Sequence, residues 1–249
     1  MKLDIRKIEK KDLDAFIEGN ALPCFKSNQI WDWIWKKSKT DFNAMLNIPK
    51  SLRALLEENF VFRPVGIDKV QKSIDGTIKS RLRLHDGHLI ESVLIPVPGD
   101  KRFTACVSSQ VGCSLSCKFC ATGKMERMRN LDPAEIYDQV VIVNQQAIEH
   151  FGHPLTNIVF MGMGEPLLNY KNVLRSTQLI GAEGLGMSPR RITVSTVGLS
   201  KLIKKLADDE VKFNLALSLH AAMDHKRSEI MPINDQNDLD SLMEALIYF

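Results

Sequence analysis

Three cysteines within eight residues, Cys113-Ser-Leu-Ser-Cys117-Lys-Phe-Cys120, constrain this chain more than any other feature of its sequence. Thiols spaced CxxxCxxC converge on one point when the backbone loops around it, so the fold has to present a loop there. Four of the five cysteines lie between positions 106 and 120. Clustering of that kind, with no secretion signal in the charged start MKLDIRKIEKKDLD, indicates a metal or redox site rather than a disulfide framework. The compartment to expect is the cytoplasm.

Two metal centres compete for these thiols. A [4Fe–4S] cluster held by Cys113, Cys117 and Cys120 would have three ligated irons and one open iron. Zinc commonly takes four ligands as two separated pairs. No second CxxC or HxxxH pair exists, although Cys106 is available as a fourth ligand, and His150 or His153 as outsiders. The spacing favours the cluster, as does its position after a β-prone run, Phe103–Val107. In α/β units the carboxyl end of a strand is where ligands bind.

The rest of the chain supports that placement. Leu13, Phe16 and Ile17 fit a helical stripe, broken around Asn20 to Pro23. Ile30, Trp31, Ile34 and Trp35 form a second stripe, and Pro49 opens a third helix with Leu52, Leu55 and Leu56. Trp31, Trp33 and Trp35 read as helix core rather than base-stacking groups. Asp75-Gly76 and Asp86-Gly87 are hairpin dipeptides that separate Lys69–Ile74, Thr77–Leu84 and Leu89–Ile95 into a small antiparallel meander. Beyond Asp100, strands are expected at Phe103–Val107, Asn157–Met161, Arg191–Ser195 and Phe213–Leu219. Helices are expected at Pro133–Glu149, near Lys171–Ile180, and at Leu199–Leu206 and Leu239–Ile247. About four β–loop–α units imply a parallel sheet. The expected class is α/β: a partial (β/α) barrel, incomplete at its C-terminal end, preceded by a small helical domain and a β meander. The boundaries fall at 1–64, 65–98 and 99–249.

Bulk numbers add limits. At 249 residues and 44% hydrophobic, the chain can bury a core without staples, and no apolar run approaches a membrane span. Residues 1–100 hold 17 Lys and Arg against 14 Asp and Glu, whereas residues 101–249 hold 16 of each. The mild basic excess at the start is compatible with nucleic-acid contact.

The run Thr104-Ala-Cys-Val-Ser-Ser-Gln-Val-Gly-Cys113, continued through Cys117 and Cys120, resembles the RlmN/Cfr family of radical S-adenosylmethionine (SAM) RNA methyltransferases. Val-Phe-Met-Gly-Met-Gly-Glu-Pro-Leu at 159–167 is equally characteristic, and the resemblance extends from Gln29–Trp35 to Pro232-Ile-Asn234. It implies two cofactors, a [4Fe–4S] cluster and SAM. It also implies 23S rRNA and tRNA as substrates, a flavodoxin-type electron donor, no membrane, and a monomer. The reaction implied is methylation of adenosine at C2. C8 methylation by a resistance enzyme of the same family, and a zinc-stabilised RNA-binding module without catalysis, are the alternatives.

By the same resemblance, Gly164 and Glu165 contact SAM; read alone, this Gly-rich turn is equally a structural one. Ser195 either hydrogen-bonds SAM or caps the next helix. Ser218, Leu219 and His220 end the following strand, and the resemblance places them along SAM. Cys106, otherwise a buried strand thiol, corresponds to the cysteine that attacks the methyl-carrying sulfur and releases the product by forming a disulfide. Glu91 corresponds to the proton acceptor, although by itself it is only an acid on a short strand. Lys118, Lys124, Arg127 and Arg129 are candidate phosphate contacts or a solvated basic face. One departure is plain: no cysteine follows Cys120, so the methyl-carrying cysteine is missing. The expectation is a C-terminally truncated chain that holds a cluster but does not methylate RNA, with an open barrel edge that costs it stability.

Overall fold

The amphipathic stripes at the start of the chain form three helices whose ends are joined by a pair of very short strands. The structure, a computed structural model, describes residues 2–249. Strand β1 (Leu3–Asp4) precedes helices α1 (Lys10–Gly19), α2 (Phe25–Trp35) and α3 (Lys50–Asn59), and β2 (Phe60–Val61) pairs parallel with β1. Leu13, Ile17, Ile30, Ile34, Trp35, Leu52 and Leu56 are buried together, as their spacing requires. Of the three tryptophans, Trp31 and Trp35 are core, whereas Trp33 is half-buried with the Lys37 ammonium 3.6 Å from its ring centroid. Pro49 is the residue before α3 rather than its first turn.

The meander follows as β3 (Gly66–Lys72), β4 (Ile78–Arg83) and β5 (Leu89–Val97). Its two turns are those the dipeptides call for. Gly76 and Gly87 take φ +86° and +87°, and Asp75 and Asp86 each accept a hydrogen bond from the backbone two residues on. The meander continues directly into the main sheet, because β5 pairs antiparallel with β6 (Arg102–Cys106). A loop carrying the paired β7 (Gln110–Val111) and β8 (Arg129–Asn130) leads to α4 (Pro133–Phe151). Helix α4 starts on the expected Asp132 cap, completed by Glu135 into a capping box. The chain then alternates: β9 (Asn157–Phe160), α5 (Tyr170–Ile180), β10 (Ile192–Thr196), α6 (Ser200–Asp208), β11 (Asn214–Leu217), a short α7 (Asp224–Ile230) and α8 (Leu239–Tyr248).

The result is one seven-stranded sheet in the order β11-β10-β9-β6-β5-β4-β3. The four strands β6, β9, β10 and β11 are parallel, and the meander extends them antiparallel. This is the mixed α/β partial barrel. Period-two alternation separates its faces. Ile90, Leu94, Ala105, Ile158, Phe160, Ile192 and Val194 are buried beneath the helices with Val140, Val143, Leu179, Ile203 and Leu206. Glu91, Val93, Thr104, Cys106, Val159, Thr193 and Ser195 alternate with those residues and face the other way.

The N-terminal segment is fastened to the sheet's helical layer by a buried ionic node. Arg6 bonds both carboxylate oxygens of Asp138 on α4 at 2.8 Å and also bonds Asp4, and Asp138 accepts the Val65 N–H at 3.0 Å. Trp35 meets Tyr137 of α4 edge-on, with centroids 5.1 Å apart. Among the described residues no helix is long and apolar enough to cross a membrane.

Candidate active site

Because β6, β9, β10 and β11 run parallel, the loops at their carboxyl ends gather on one edge of the sheet. A cavity of about 330 Å³ opens there. Its wall includes Cys113, Cys117 and Cys120 from the loop after β6 and Gly164 and Glu165 from the turn after β9. Ser195 near the end of β10 and Ser218 after β11 complete it, with Phe119, Met161, Thr196 and Val197 between them. Seven sequence-expected residues, from four separate strand ends, thus line one cavity. A wider cleft of about 760 Å³ between the N-terminal segment and α5 has no cysteine in its wall.

The thiols are shaped by burial and by each other. Burial pushes the Cys117 thiol up to about 11, and neighbouring Cys113, Cys120 and Glu165 add to the shift. Burial likewise raises Cys113. Raised thiols such as Cys113 and Cys117 become thiolates only beside positive charge, and an iron–sulfur cluster supplies it. All three line the same cavity, and thiolate is the donor that iron–sulfur clusters take. Backbone geometry fixes the loop: Ser116 sits at φ +53°, and Gly123 passes so close that a Cβ there would lie 2.8 Å from the Cys117 carbonyl oxygen.

Glu165 is buried, and both of its oxygens are engaged. Oε1 accepts from the Leu167 N–H at 3.0 Å and Oε2 from the Val197 N–H at 3.0 Å, joining the β9 turn to the β10 turn. Burial raises its pKa, and these backbone bonds counter only part of the rise. Gly164, at φ +94°, presses against Gln110; a Cβ there would stand 2.5 Å from that residue's Cβ. Gln110 is itself fully buried and accepts the Glu165 N–H at 2.9 Å. Ser195 donates its hydroxyl to the Phe160 carbonyl at 2.7 Å, so it presents lone pairs to the cavity.

The other expected residues stand beside the cavity rather than in its wall. Leu219 is exposed, and His220 takes φ +59° with its ring against Phe119, centroids 3.9 Å apart. Cys106 lies on the open sheet face between Val93 and Val159 and receives a backbone hydrogen bond from cavity-lining Met161. Burial pushes its thiol up. Glu91 occupies the same face one strand over, where Lys79 holds it at 2.8 Å. All five thiols are free. Arg129, read from sequence as a candidate phosphate contact, is instead consumed internally: it bonds Glu135 through two nitrogens at 2.8 Å and Asp86 at 2.5 Å. Sequence reasoning missed Gln110, Phe119 and Arg227. Glutamine and arginine carry no periodicity signal when a loop buries them, and Phe119 was visible only as a spacer within the cysteine motif.

Parallel strands, a cysteine-lined cavity at their carboxyl ends and a buried carboxylate beside it define a radical SAM enzyme, and residues 107–247 match the Radical SAM superfamily model. Residues 3–62 match the ribosomal RNA large subunit methyltransferase N-terminal domain. The chain is 52% identical over 249 residues to the probable dual-specificity RNA methyltransferase RlmN of Flavobacterium johnsoniae, spanning all of this chain and 71% of that protein. It is 55% identical over 246 residues to the like-named protein of Cytophaga hutchinsonii, covering 98% of this chain and 67% of that one. Among solved structures, a radical SAM methyltransferase from Sphaerobacter thermophilus superposes with a TM-score of 0.88 at 39% identity, over 98% of this chain and 71% of that one. The chain therefore belongs to the RlmN family of radical SAM RNA methyltransferases, enzymes that use a [4Fe–4S] cluster and SAM.

Proposed function

We propose that this chain carries the cluster and SAM machinery for methylating adenosine at C2 in 23S rRNA and tRNA, with Cys113, Cys117 and Cys120 as the cluster ligands. The observation that carries this reading is the convergence of those thiols and Glu165 on one cavity. The cluster, when bound, supplies the electron that cleaves SAM, and the protein supplies placement and exclusion of water.

The chain's own residues then divide the work. Gly164 lets the turn close against Gln110 and so sets the wall along which SAM lies. Glu165 uses its remaining lone pairs for the SAM ammonium, held in place by the Leu167 and Val197 N–H groups. Ser195 and Ser218 offer oxygens from the opposite wall, and Leu219 and His220 border the mouth. Cys106 faces the substrate side, where its raised pKa keeps it a thiol until a base or charge activates it. Glu91 accepts the C2 proton once RNA draws Lys79 away to a phosphate. Lys118, Lys124 and Arg127, which make no ion pair among the described residues, take RNA phosphates. A flavodoxin-type protein in the cytoplasm delivers the electron to a monomer.

We infer that the chain binds the cluster and SAM. Iron content and EPR of the reduced, reconstituted protein with and without SAM test this. About four irons and a SAM-altered spectrum are expected; zinc without iron would retire the radical reading. Nucleoside mass spectrometry of 23S rRNA fragments and tRNA treated with the full-length protein tests the regiochemistry, with 2-methyladenosine expected. An 8-methyl product would overturn the C2 reading.

A further inference from the structure

Arg227 is the only large charged side chain in the molecule that is fully buried without a carboxylate partner among the described residues. Its Nε donates to the Leu219 carbonyl at 3.1 Å, and one terminal nitrogen donates to Asn234 Oδ1 at 2.5 Å and the Asn237 carbonyl at 3.4 Å. The other terminal nitrogen donates to the Val197 carbonyl. Every acceptor is neutral. The contrast lies within the same fold: Arg6, equally hidden, is matched by Asp4 and Asp138. Asp224, at the start of the same helix, spends one oxygen on Asn234 Nδ2 at 2.9 Å and on the Leu239 N–H at 3.0 Å.

The position of this cation matters. Val197 and Leu219 belong to the turns that follow β10 and β11, and both turns border the cavity. The helix that carries Arg227, α7, is bonded to the cysteine loop, because the Ile230 carbonyl accepts the Lys118 N–H at 2.9 Å. Burying a guanidinium costs several kcal/mol unless negative charge repays it. A cluster held by three thiolates is anionic and gains a further negative charge on one-electron reduction. A fixed buried cation beside it favours the reduced form, since cluster potentials follow local charge and burial.

We propose that Arg227 is a positioning residue that clamps the β10 and β11 turns to the cysteine loop, and whose charge, only partly offset by Asp224, raises the potential at which the cluster accepts its electron. This rests on the cysteines holding the cluster, which iron content and the EPR signal of the unaltered chain establish separately.

The test is an EPR-monitored redox titration of the reconstituted chain beside Arg227→Met, Arg227→Lys and Asp224→Asn, with SAM affinity measured on each. Arg227→Met removes the charge at similar volume. At a fixed poise its reduced-to-oxidised ratio should fall roughly tenfold, ~59 mV for a one-electron couple. Arg227→Lys keeps the charge but cannot span all four acceptors, so its potential should stay near the original while SAM affinity weakens several-fold. Asp224→Asn keeps the Oδ1 acceptor and removes the acid, so its ratio should rise. This variant decides the matter if Arg227→Met loses its iron. An unchanged potential in Asp224→Asn, or in an iron-replete Arg227→Met, overturns the proposal; so does an Arg227→Lys protein that shifts as far as Arg227→Met.

Discussion

Glu165 accepts N–H groups on both oxygens, an arrangement that an amide cannot reproduce, because Gln would turn its NH₂ toward one of two donors. Glu165→Gln should therefore cost about 1–3 kcal/mol in urea denaturation, as well as weakening SAM binding. Its pH behaviour follows from burial. The folded pKa lies above the ordinary glutamate value. Its stabilising contribution is then present below that ordinary value and is lost as pH rises through the raised one. The ligand-binding carboxylate has the opposite fate and is lost as pH falls. SAM affinity measured by calorimetry should decline at a higher pH than an exposed glutamate would dictate, and a decline centred at or below 4.5 would contradict the role given to Glu165. At this scale the site was legible in the sequence wherever motif and backbone constraint coincide, as at Cys113, Cys117, Cys120 and Gly164. It was not legible where a side chain's partner comes from a distant loop. Nothing local in the sequence foretells that Gln110 receives the Glu165 N–H across 55 positions.

The elements long enough to show a period were readable, and the shortest were not. Helix α4 starts on Asp132 as read, and the strand ends shift by at most three residues. Strands β1, β2, β7 and β8 are two residues each, below the length at which alternation exists, and helix α7 is seven residues with a polar sequence. Each is held by tertiary contacts instead; β1, for example, is tied through Asp4 to the Arg6–Asp138 node. Asp138→Ala leaves a buried guanidinium short of a partner and a Val65 N–H unmet. It should cost about 3–5 kcal/mol in a thermal or urea melt. The exposed Lys79–Glu91 pair is the control: Lys79→Ala should change stability by only about 0–1 kcal/mol, because both partners remain in water.

Over the whole molecule, the parallel sheet with ligand-binding loops at one edge was legible from the repeated β–loop–α pattern. That the meander joins this same sheet was not read, although β5 and β6 are consecutive strands paired as a hairpin across the turn at Pro98-Gly99, so the signal was local. The consequence is one continuous open face, from the cysteine loop past Cys106 and Glu91 to the basic strand carrying Lys79, Arg81 and Arg83. Within it, free and committed cations behave differently. Arg81 and Arg83 are tied to Asp68, and Arg129 to Asp86 and Glu135, whereas Lys118, Lys124 and Arg127 have no acidic partner among the described residues. A single-stranded RNA loop bound through the latter three should lose affinity with salt, each phosphate contact adding about −0.7 to the log–log slope. Replacing all three by Ala should flatten that slope by about 2 in a filter-binding or fluorescence titration, with the melting temperature nearly unchanged. Arg129→Ala should do the reverse, lowering the melting temperature because Glu135 is left buried without its guanidinium, and leaving the slope alone. If Arg129→Ala instead flattened the slope while the triple variant did not, the assignment of free and committed cations on this face would be inverted, and the RNA would have to approach from the hairpin side of β8.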